Sequence, residues 1–447
     1  MHTNTRNLIA EQEEGIVRKK IFWPLLSVFY ALFVFRNVLS FEFPISLYLV
    51  WIAVMALAFN DTETKALIIS FIPLAPGFQS KYAVLVCMIL LLLKYGKRLR
   101  VPAFVFLLPL LMLWELLHLD STFSTVAEYL SGFAPLMCVA VVVSMPKKDE
   151  DVSFFSRVLA VSLAVGSVIL LFNTVLASGQ SIVSLVTQGF RLGAVEEAEN
   201  YRIVYNANGL GYLCNIAIVG LLTSIYFKKA KKIDYFLLVF AAIIGSLTVS
   251  RTFLLCFAGT MVLFILLQEK SVIHKIKVFA AVAFILGLSL AVLSLVSPEI
   301  INNYVVRFNA DDITGGRAGL FDFYNEFITS SSERLWYGIG IQSIKEKMWY
   351  FEGVDVNVPH NGYQQMIVGW GIIGLALMLL FLLCLIMHAK KKNPHTPFMC
   401  YLPLILLLTN IFGGQFVTSG TKLLSLVFIY LTICNGRKES NGTEKHK

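Results

Sequence analysis

The sequence predicts an all-α polytopic membrane protein with about 12–14 transmembrane helices and one large extracytoplasmic loop. Composition points there first. Apolar residues make up 57% of the 447 positions and charged residues only 15%, with a mean hydropathy of +0.73, a balance that soluble domains do not reach. The apolar residues also come in span-length runs such as Phe279–Val296, whereas a transmembrane β-barrel would show short alternating segments. Against this background Pro298–Ile373 is the longest stretch that cannot sit in lipid. It carries Arg307, Asp311, Asp312, Arg317, Glu326, Arg334 and His360 before running into an apolar helix.

Taken in order, the first 20 residues are polar and contain no apolar core of a leader, so no removable signal peptide is expected. Apolar segments then follow at Ile21–Leu39, Ile45–Phe59, Ala66–Phe78, Tyr82–Leu93, Pro102–Leu119, Val126–Met145 and Phe154–Ala177. They continue at Ala207–Phe227, Ile233–Val249, Thr252–Leu267, Val278–Ser297, Asn361–His388, Phe398–Phe412 and Lys422–Cys434. Ala66–Phe78 and Lys422–Cys434 are short for a bilayer and read as re-entrant or tilted pieces. No internal repeat or low-complexity linker divides the chain. The expectation is a single membrane-embedded domain over 1–447, with a first extracytoplasmic loop at 178–206 and the large one at 298–360.

Lysines and arginines set the orientation. With the N-terminus inside and the spans alternating, every strongly basic loop falls on the cytoplasmic side: Arg18–Lys20, Lys94–Arg100, Lys228–Lys232, Lys270–Lys277 and Lys390–Lys392. That agrees with retention of basic loops in the cytoplasm, and it explains the net charge of +9 without a nucleic-acid partner. Both termini are then cytoplasmic. The seven cysteines lie in or beside apolar runs without a CxxC pair and read as small core residues, so neither disulfides nor a metal site is expected.

The cations left outside each need a reason. Arg251 stands between two apolar runs with almost no loop, where it either snorkels to headgroups or clamps an anion. Arg191 either pairs with Glu196 or Glu197 or serves a site. Arg317 follows two glycines, whose flexible backbone lets a side chain approach a ligand, or it pairs with Asp312 or Asp322. Asn206 and Asn208 flank a helix start and read as caps. His360 follows Pro359 at a helix start, where the helix dipole favours a neutral imidazole suited to a general base. Glu115 and His118 share a helix face and suit either a proton path or a hydrogen-bonding role. Gly369, Gly371 and Gly374 read as sites of close helix packing. Asp311 and Asp312 could hold a metal, although two adjacent carboxylates are a weak signal for one.

His360-Asn361-Gly362-Tyr363-Gln364-Gln365, followed by Gly371-Ile372-Ile373-Gly374-Leu375, resembles the hallmark of bacterial O-antigen polymerases and O-antigen ligases. Ser250-Arg251 opening an apolar span, Asn206-Ala207-Asn208 entering one, and Arg317 before an aromatic-rich helix and Gly338-Ile339-Gly340 are similar to the same family. The resemblance covers roughly Arg191 to Met387. Ala207 departs from it, since the family more often has proline there. The resemblance implies a C-type glycosyltransferase fold and an inverting transfer at the outer face of the bacterial cytoplasmic (inner) membrane. The donor would be an undecaprenyl-diphosphate-linked oligosaccharide. It further implies that Arg191, Arg251 and Arg317 hold the donor diphosphate and that His360 activates the acceptor hydroxyl. Arg251 and Arg317 would act with His360 in catalysis, while Asn208, Asn361 and Tyr363 would contact substrate. No cofactor or metal is expected. Membrane lipid, a chain-length regulator and a flippase are the expected partners.

The leading expectation is a polymerase of repeat units for an O-antigen, capsule or exopolysaccharide. An O-antigen ligase would share the site, with a different acceptor. A lipid-linked sugar flippase or other transporter fits less well, because transporters place polar groups at mid-membrane and here they gather on one face. Sidedness is open to test by single cysteines at Ser331 and Asn393 in a background lacking reactive native cysteines. A membrane-impermeant reagent applied from outside should label the first and spare the second, and equal labelling would sink the arrangement.

Overall fold

The computed structural model describes residues 21–39, 44–74, 80–118, 126–146, 149–188, 190–193, 206–268, 270–308, 318–342, 344–352 and 358–437. Among these residues the regular structure is entirely helical. The first half contains α1 (Ile21–Val38), α2 (Ile45–Ala58), α3 (Asp61–Leu74), α4 (Ser80–Tyr95), α5 (Leu107–Leu116), α6 (Val126–Ser144), α7 (Val152–Ser178), α8 (Ile182–Thr187) and α9 (Ala207–Tyr226). Then come α10 (Lys232–Leu247), α11 (Arg251–Leu267) and α12 (Val272–Val296). The large loop folds into α13 (Pro298–Phe308), α14 (Ala318–Thr329), α15 (Ser332–Tyr337) and α16 (Ile344–Glu352). The chain closes with α17 (Gly362–Lys392), α18 (Leu402–Phe412) and α19 (Gly420–Asn435).

Every apolar segment read from the sequence is a helix, but their lengths differ. Among the described residues, α1, α7, α9 and α17 are long and apolar enough to cross a membrane, and several others are apolar helices of 10–17 residues. The protein is a polytopic helical membrane protein. Of the two segments expected to be re-entrant or tilted, one becomes α3 and the other α19. At a rise of about 1.5 Å per residue each is shorter than the hydrocarbon layer. Both are buried almost throughout, and α9 packs between α7, α10 and α11. Protein rather than lipid surrounds these helices, so span length does not constrain them.

The sequence places Lys65 before its helix, yet α3 begins at Asp61 and takes in Asp61, Glu63 and Lys65, all buried. Ion pairing offsets the burial of Lys65 and Asp61. Lys65 Nζ lies 2.8 Å from Glu150 and 3.9 Å from Asp61, and Thr62 donates to the same Glu150 oxygen. Buried charge persists only when paired in this way.

Contacts sort the helix ends into two groups that match the alternation read from the basic loops. One group joins Lys65 and Glu150, Arg157 and Asp234 at 2.7 Å, Lys392 with the Val143 and Met145 carbonyls, and Asn435 with Glu150. The other joins Arg191 with Thr248, Asn208 with Ser250, Tyr304 with Ser246, and Gln364 with Asn325. Asn393 is buried by bonds to the Ile433 and Gly436 carbonyls, so exposed His395 is the better labelling position on that turn.

α17 is not one continuous helix. Gly371 has φ +67, which breaks the ladder, and a break inside a membrane helix frees carbonyls that need partners. The large loop supplies two: Ile339 N donates to Val368 O at 2.9 Å and Gly340 N to Gly369 O at 2.6 Å. Trp114 of α5 donates to Trp370 O at 3.1 Å. Glu115 then accepts from Ile341 N, Gln342 N and Trp370 Nε1 at 2.9, 2.9 and 2.7 Å. Lys347 completes the set by donating to the His118 and Ile339 carbonyls. Of the two roles read for Glu115, the hydrogen-bonding one is what the structure displays. The packing role read for Gly369 and Gly371 is also present, since a Cβ on either would strike Ile341 or the Trp336 backbone.

Gly371→Ala forces both a left-handed backbone on an L-residue and a clash, so it should cost at least about 2 kcal/mol of stability. Gly287, with open space around it, is the control. Thermal unfolding in detergent should show Gly371→Ala melting well below Gly287→Ala; equal melting would refute the role of the break.

Candidate active site

A three-residue turn, Thr248–Ser250, joins α10 to α11 and organises the second group of helix ends. Val249 is buried with φ +48, a left-handed conformation that a β-branched residue adopts only under compulsion. The residues on either side account for that. Thr248 O accepts from Arg191 Nε at 2.9 Å, and Leu192 N donates to Leu247 O at 2.8 Å. Ser250 caps α11 by accepting from Phe253 N, and its hydroxyl donates to Asn208 Oδ1 at 2.9 Å. Arg251 is then the first residue of α11 and is half-buried. One turn therefore holds two candidate arginines and Asn208. Asn206 is the cap of α9, accepting from Asn208 N, while the Asn208 side chain reaches across to α11 instead of capping.

Beside this turn lies a cavity of about 390 Å³ lined by Asn206, Asn208, Gly209, His360, Asn410, Gly413–Gln415 and Thr418–Lys422. That volume is in the range of ligand sites, about 300–1,000 Å³. Its lining is almost all amide, hydroxyl and glycine backbone. The N-termini of α9 and α19 open directly into it, and those of α11 and α17 flank it. Each contributes a partial positive charge and unpaired N–H groups, so the cavity and its rim favour oxyanions.

The hallmark string divides its labour. His360 precedes the cap of α17 and faces the cavity, half-buried. Asn361 is the cap, its Oδ1 accepting from Tyr363 N and Gln364 N at 2.9 and 3.3 Å. Gly362 lets α17 approach Ile411, Gly414 and Phe416. Tyr363 packs against Phe412 with tilted rings, centroids 4.6 Å apart. Gln364 donates to Phe321 O and Asn325 Oδ1 of α14. Gln365 accepts from Phe416 N and Val417 N and donates to Thr418 Oγ1, which fixes the glycine-rich segment. In that string only His360 lines the cavity. Asn361 and Tyr363, read as substrate contacts, are engaged in capping and packing here.

Thus the structure brings Arg191, Asn208, Arg251 and His360 to one set of helix ends. Arg317, Asp311 and Asp312 lie outside the described residues, as do Glu196 and Glu197, the alternative partners of Arg191. Two further outer cations have local partners: Arg334 pairs with Glu352 at 3.0 Å and lies over the Phe327 ring, and Lys347 serves the break in α17. The sequence reading gave no role to Asn410 or to Gly413–Lys422. The available signal was GGQFVTSGTK, a polar, glycine-rich interruption between two apolar helices.

If Asn361 is a cap, Asn361→Ala should lower stability by about 0.5–2 kcal/mol and leave donor affinity unchanged in detergent-purified protein. A loss of affinity at unchanged melting temperature would restore it as a substrate contact.

Residues 236–379, about a third of the chain, match the family model described as O-antigen ligase. The matched segment runs from α10 through α11, the loop helices and His360 to the part of α17 just past the break. No curated protein matches the chain. The segment from 236 to 379, which carries Arg251, the loop helices and His360, is thus similar to the O-antigen ligase family.

Proposed function

We propose that the protein is an inverting glycosyltransferase of the C type that polymerises polyprenyl-diphosphate-linked oligosaccharide repeat units at the outer face of the cytoplasmic membrane. The observation that carries this is the shared turn: Arg191 is held at Thr248, Arg251 starts the helix, and Ser250 grips Asn208 of the cavity that His360 faces. Charge for a leaving diphosphate and a base for an acceptor hydroxyl stand on adjoining helix ends. The product is a surface or extracellular polysaccharide.

In this mechanism the undecaprenyl diphosphate lies at headgroup level against Arg191 and Arg251, with Arg317 joining from the large loop as the family resemblance implies. Guanidinium forks match phosphate oxygens in two-pronged geometry, and the flanking helix N-termini add to the field. The neutral His360 imidazole takes the proton of an acceptor hydroxyl. That oxygen attacks the anomeric carbon from the face opposite the leaving group. The bond from carbon to diphosphate oxygen breaks, and its electron pair leaves with the polyprenyl diphosphate, where the arginines stabilise the growing charge. Asn208 orients the acceptor in the cavity. No cofactor is invoked. A flippase that presents the donor and a regulator of chain length would be its working partners.

A second reading follows from the matched family's description as O-antigen ligase: the same site passes a finished glycan to a different acceptor, such as a lipid core. Purified protein given lipid-linked repeat units alone distinguishes the two. A ladder of products supports polymerisation, and transfer only when a lipid core is added supports ligation.

The roles of base and clamp separate by kinetics. His360→Ala should retain donor binding and lose about 10²- to 10⁴-fold in turnover. Arg251→Lys keeps the charge but loses the fork, so it should weaken donor use. Melting temperatures are compared first. Near-normal product from a folded His360→Ala protein would rule out the base.

A further inference from the structure

Lys422 is the third residue of α19, 6% exposed, in the wall of the cavity that His360 faces. Nothing about helix or bilayer stability favours it there. Burying an ammonium group is costly unless it is paired, and the first turn of a helix repels positive charge. Among the described residues no carboxylate pairs with it. Its Nζ donates to Asn410 O at 3.0 Å, a carbonyl in the last turn of α18 that lacks an intrahelical partner. An ammonium has three donors, so this bond leaves two for the cavity. Gly414 keeps the approach open, since a Cβ there would stand 3.3 Å from Nζ.

The rest of the wall includes the neutral polar side chains of Asn206, Asn208, Gln415 and Thr418. Amides and hydroxyls around a single buried cation suit a hydroxyl-rich ring that bears one oxyanion. The diphosphate already has Arg191 and Arg251 at the neighbouring turn.

We infer that this cavity takes an acidic sugar unit of the acceptor glycan, with the sugar's carboxylate paired to Lys422 Nζ and its ring hydroxyls met by the surrounding amides. Calling that unit the acceptor rests on the transferase reading above; the binding of an acidic sugar does not. The pair supplies the counter-charge that Lys422 lacks among the described residues, and it holds one hydroxyl of the ring toward His360. Lys422 is a specificity-determining residue in this assignment.

The test uses full-length protein in lipid nanodiscs and three probes: methyl glucuronide, the methyl ester of that glucuronide, and inorganic diphosphate. Wild type should bind the acid at least about tenfold more tightly than the ester, the scale of a charge-assisted hydrogen bond. This comparison depends on no variant folding. Lys422→Gln should bring the acid down to the ester's affinity and leave the ester unchanged, while Lys422→Arg should keep the preference. Diphosphate binding should depend on Arg251 and be indifferent to Lys422. Equal binding of acid and ester by wild type overturns the inference, as does a preference that survives in folded Lys422→Gln. Diphosphate binding tighter than the acid and lost in Lys422→Gln also overturns it, by assigning the charge to the leaving group. Failure of the transferase reading is separate: wild type would then transfer nothing, yet its preference for the acid would stand.

Discussion

The break in α17 is the constraint on which the rest of the site depends. A membrane helix interrupted at Gly371 leaves the Val368, Gly369 and Trp370 carbonyls without helical partners, and water is not available to replace them. The chain answers with three donors from two places, the loop amides of Ile339 and Gly340 and the indole of Trp114. Those loop residues need support of their own, and Glu115 supplies it to the next two amides and to Trp370. Each buried polar group satisfies the next, so removing any one leaves others unpaired. The outcome is that the first turns of α17, which begin just after His360, are locked to α5 and to the large loop. The loop is part of the fold as much as a surface excursion. Its second small core, with Tyr324, Phe327, Ile344 and Met348 around Val368, grows on the same anchor.

Electrostatics then follow from where helices start. Four N-termini meet around the cavity, and a protein of this composition has few other ways to favour an anion near lipid. Dipole ends and guanidinium groups are fixed before substrate arrives, so they need little reorganisation when charge develops on a leaving group. The same field should repel Lys422, yet that residue sits in it. Its hold on the C-terminal carbonyl of α18 offsets part of the cost, because the negative end of one helix is brought against the positive end of the next.

Much of this was legible in the sequence, for definable reasons. Hydropathy located the helices because burial in lipid or protein demands apolar runs in either case. That same indifference hid which helices face lipid: α3 and α19 look like defective spans, yet are interior helices. Lys65 shows a second limit. Its partner Glu150 is 85 residues away, and pairing across the bundle decides whether a charge can enter a helix. Among the candidate site residues, Asn208, Arg251 and His360 stood out as polar groups at the edges of apolar runs, and Arg191 as a cation in the first outer loop. Asn361 and Tyr363 carried the same hallmark, and the contacts by which they cap α17 and pack on Phe412 are visible only in three dimensions. Lys422 was visible only as the first residue of an apolar segment, without a role, since its cavity is assembled from α9, α18, α19 and the residues before α17.

The strained turn at Val249 shows how the two halves of the site are kept in register. A relaxed backbone there would be more stable by about 1–3 kcal/mol, and a glycine would remove the strain outright. What the conformation achieves is opposite direction: Thr248 turns its carbonyl toward Arg191, while Ser250, two residues later, turns its hydroxyl toward Asn208. The arginine proposed to hold the diphosphate and the amide proposed to orient the acceptor are thus referred to one rigid point, with Arg251 immediately beyond it. An in-line displacement needs its nucleophile and leaving group aligned within a few tenths of an ångström. Two helices free to slide would not deliver that alignment, whereas a turn too short to bend does. Val249 itself is fully buried and packed, which leaves the turn no relaxed alternative once the bundle has closed around it.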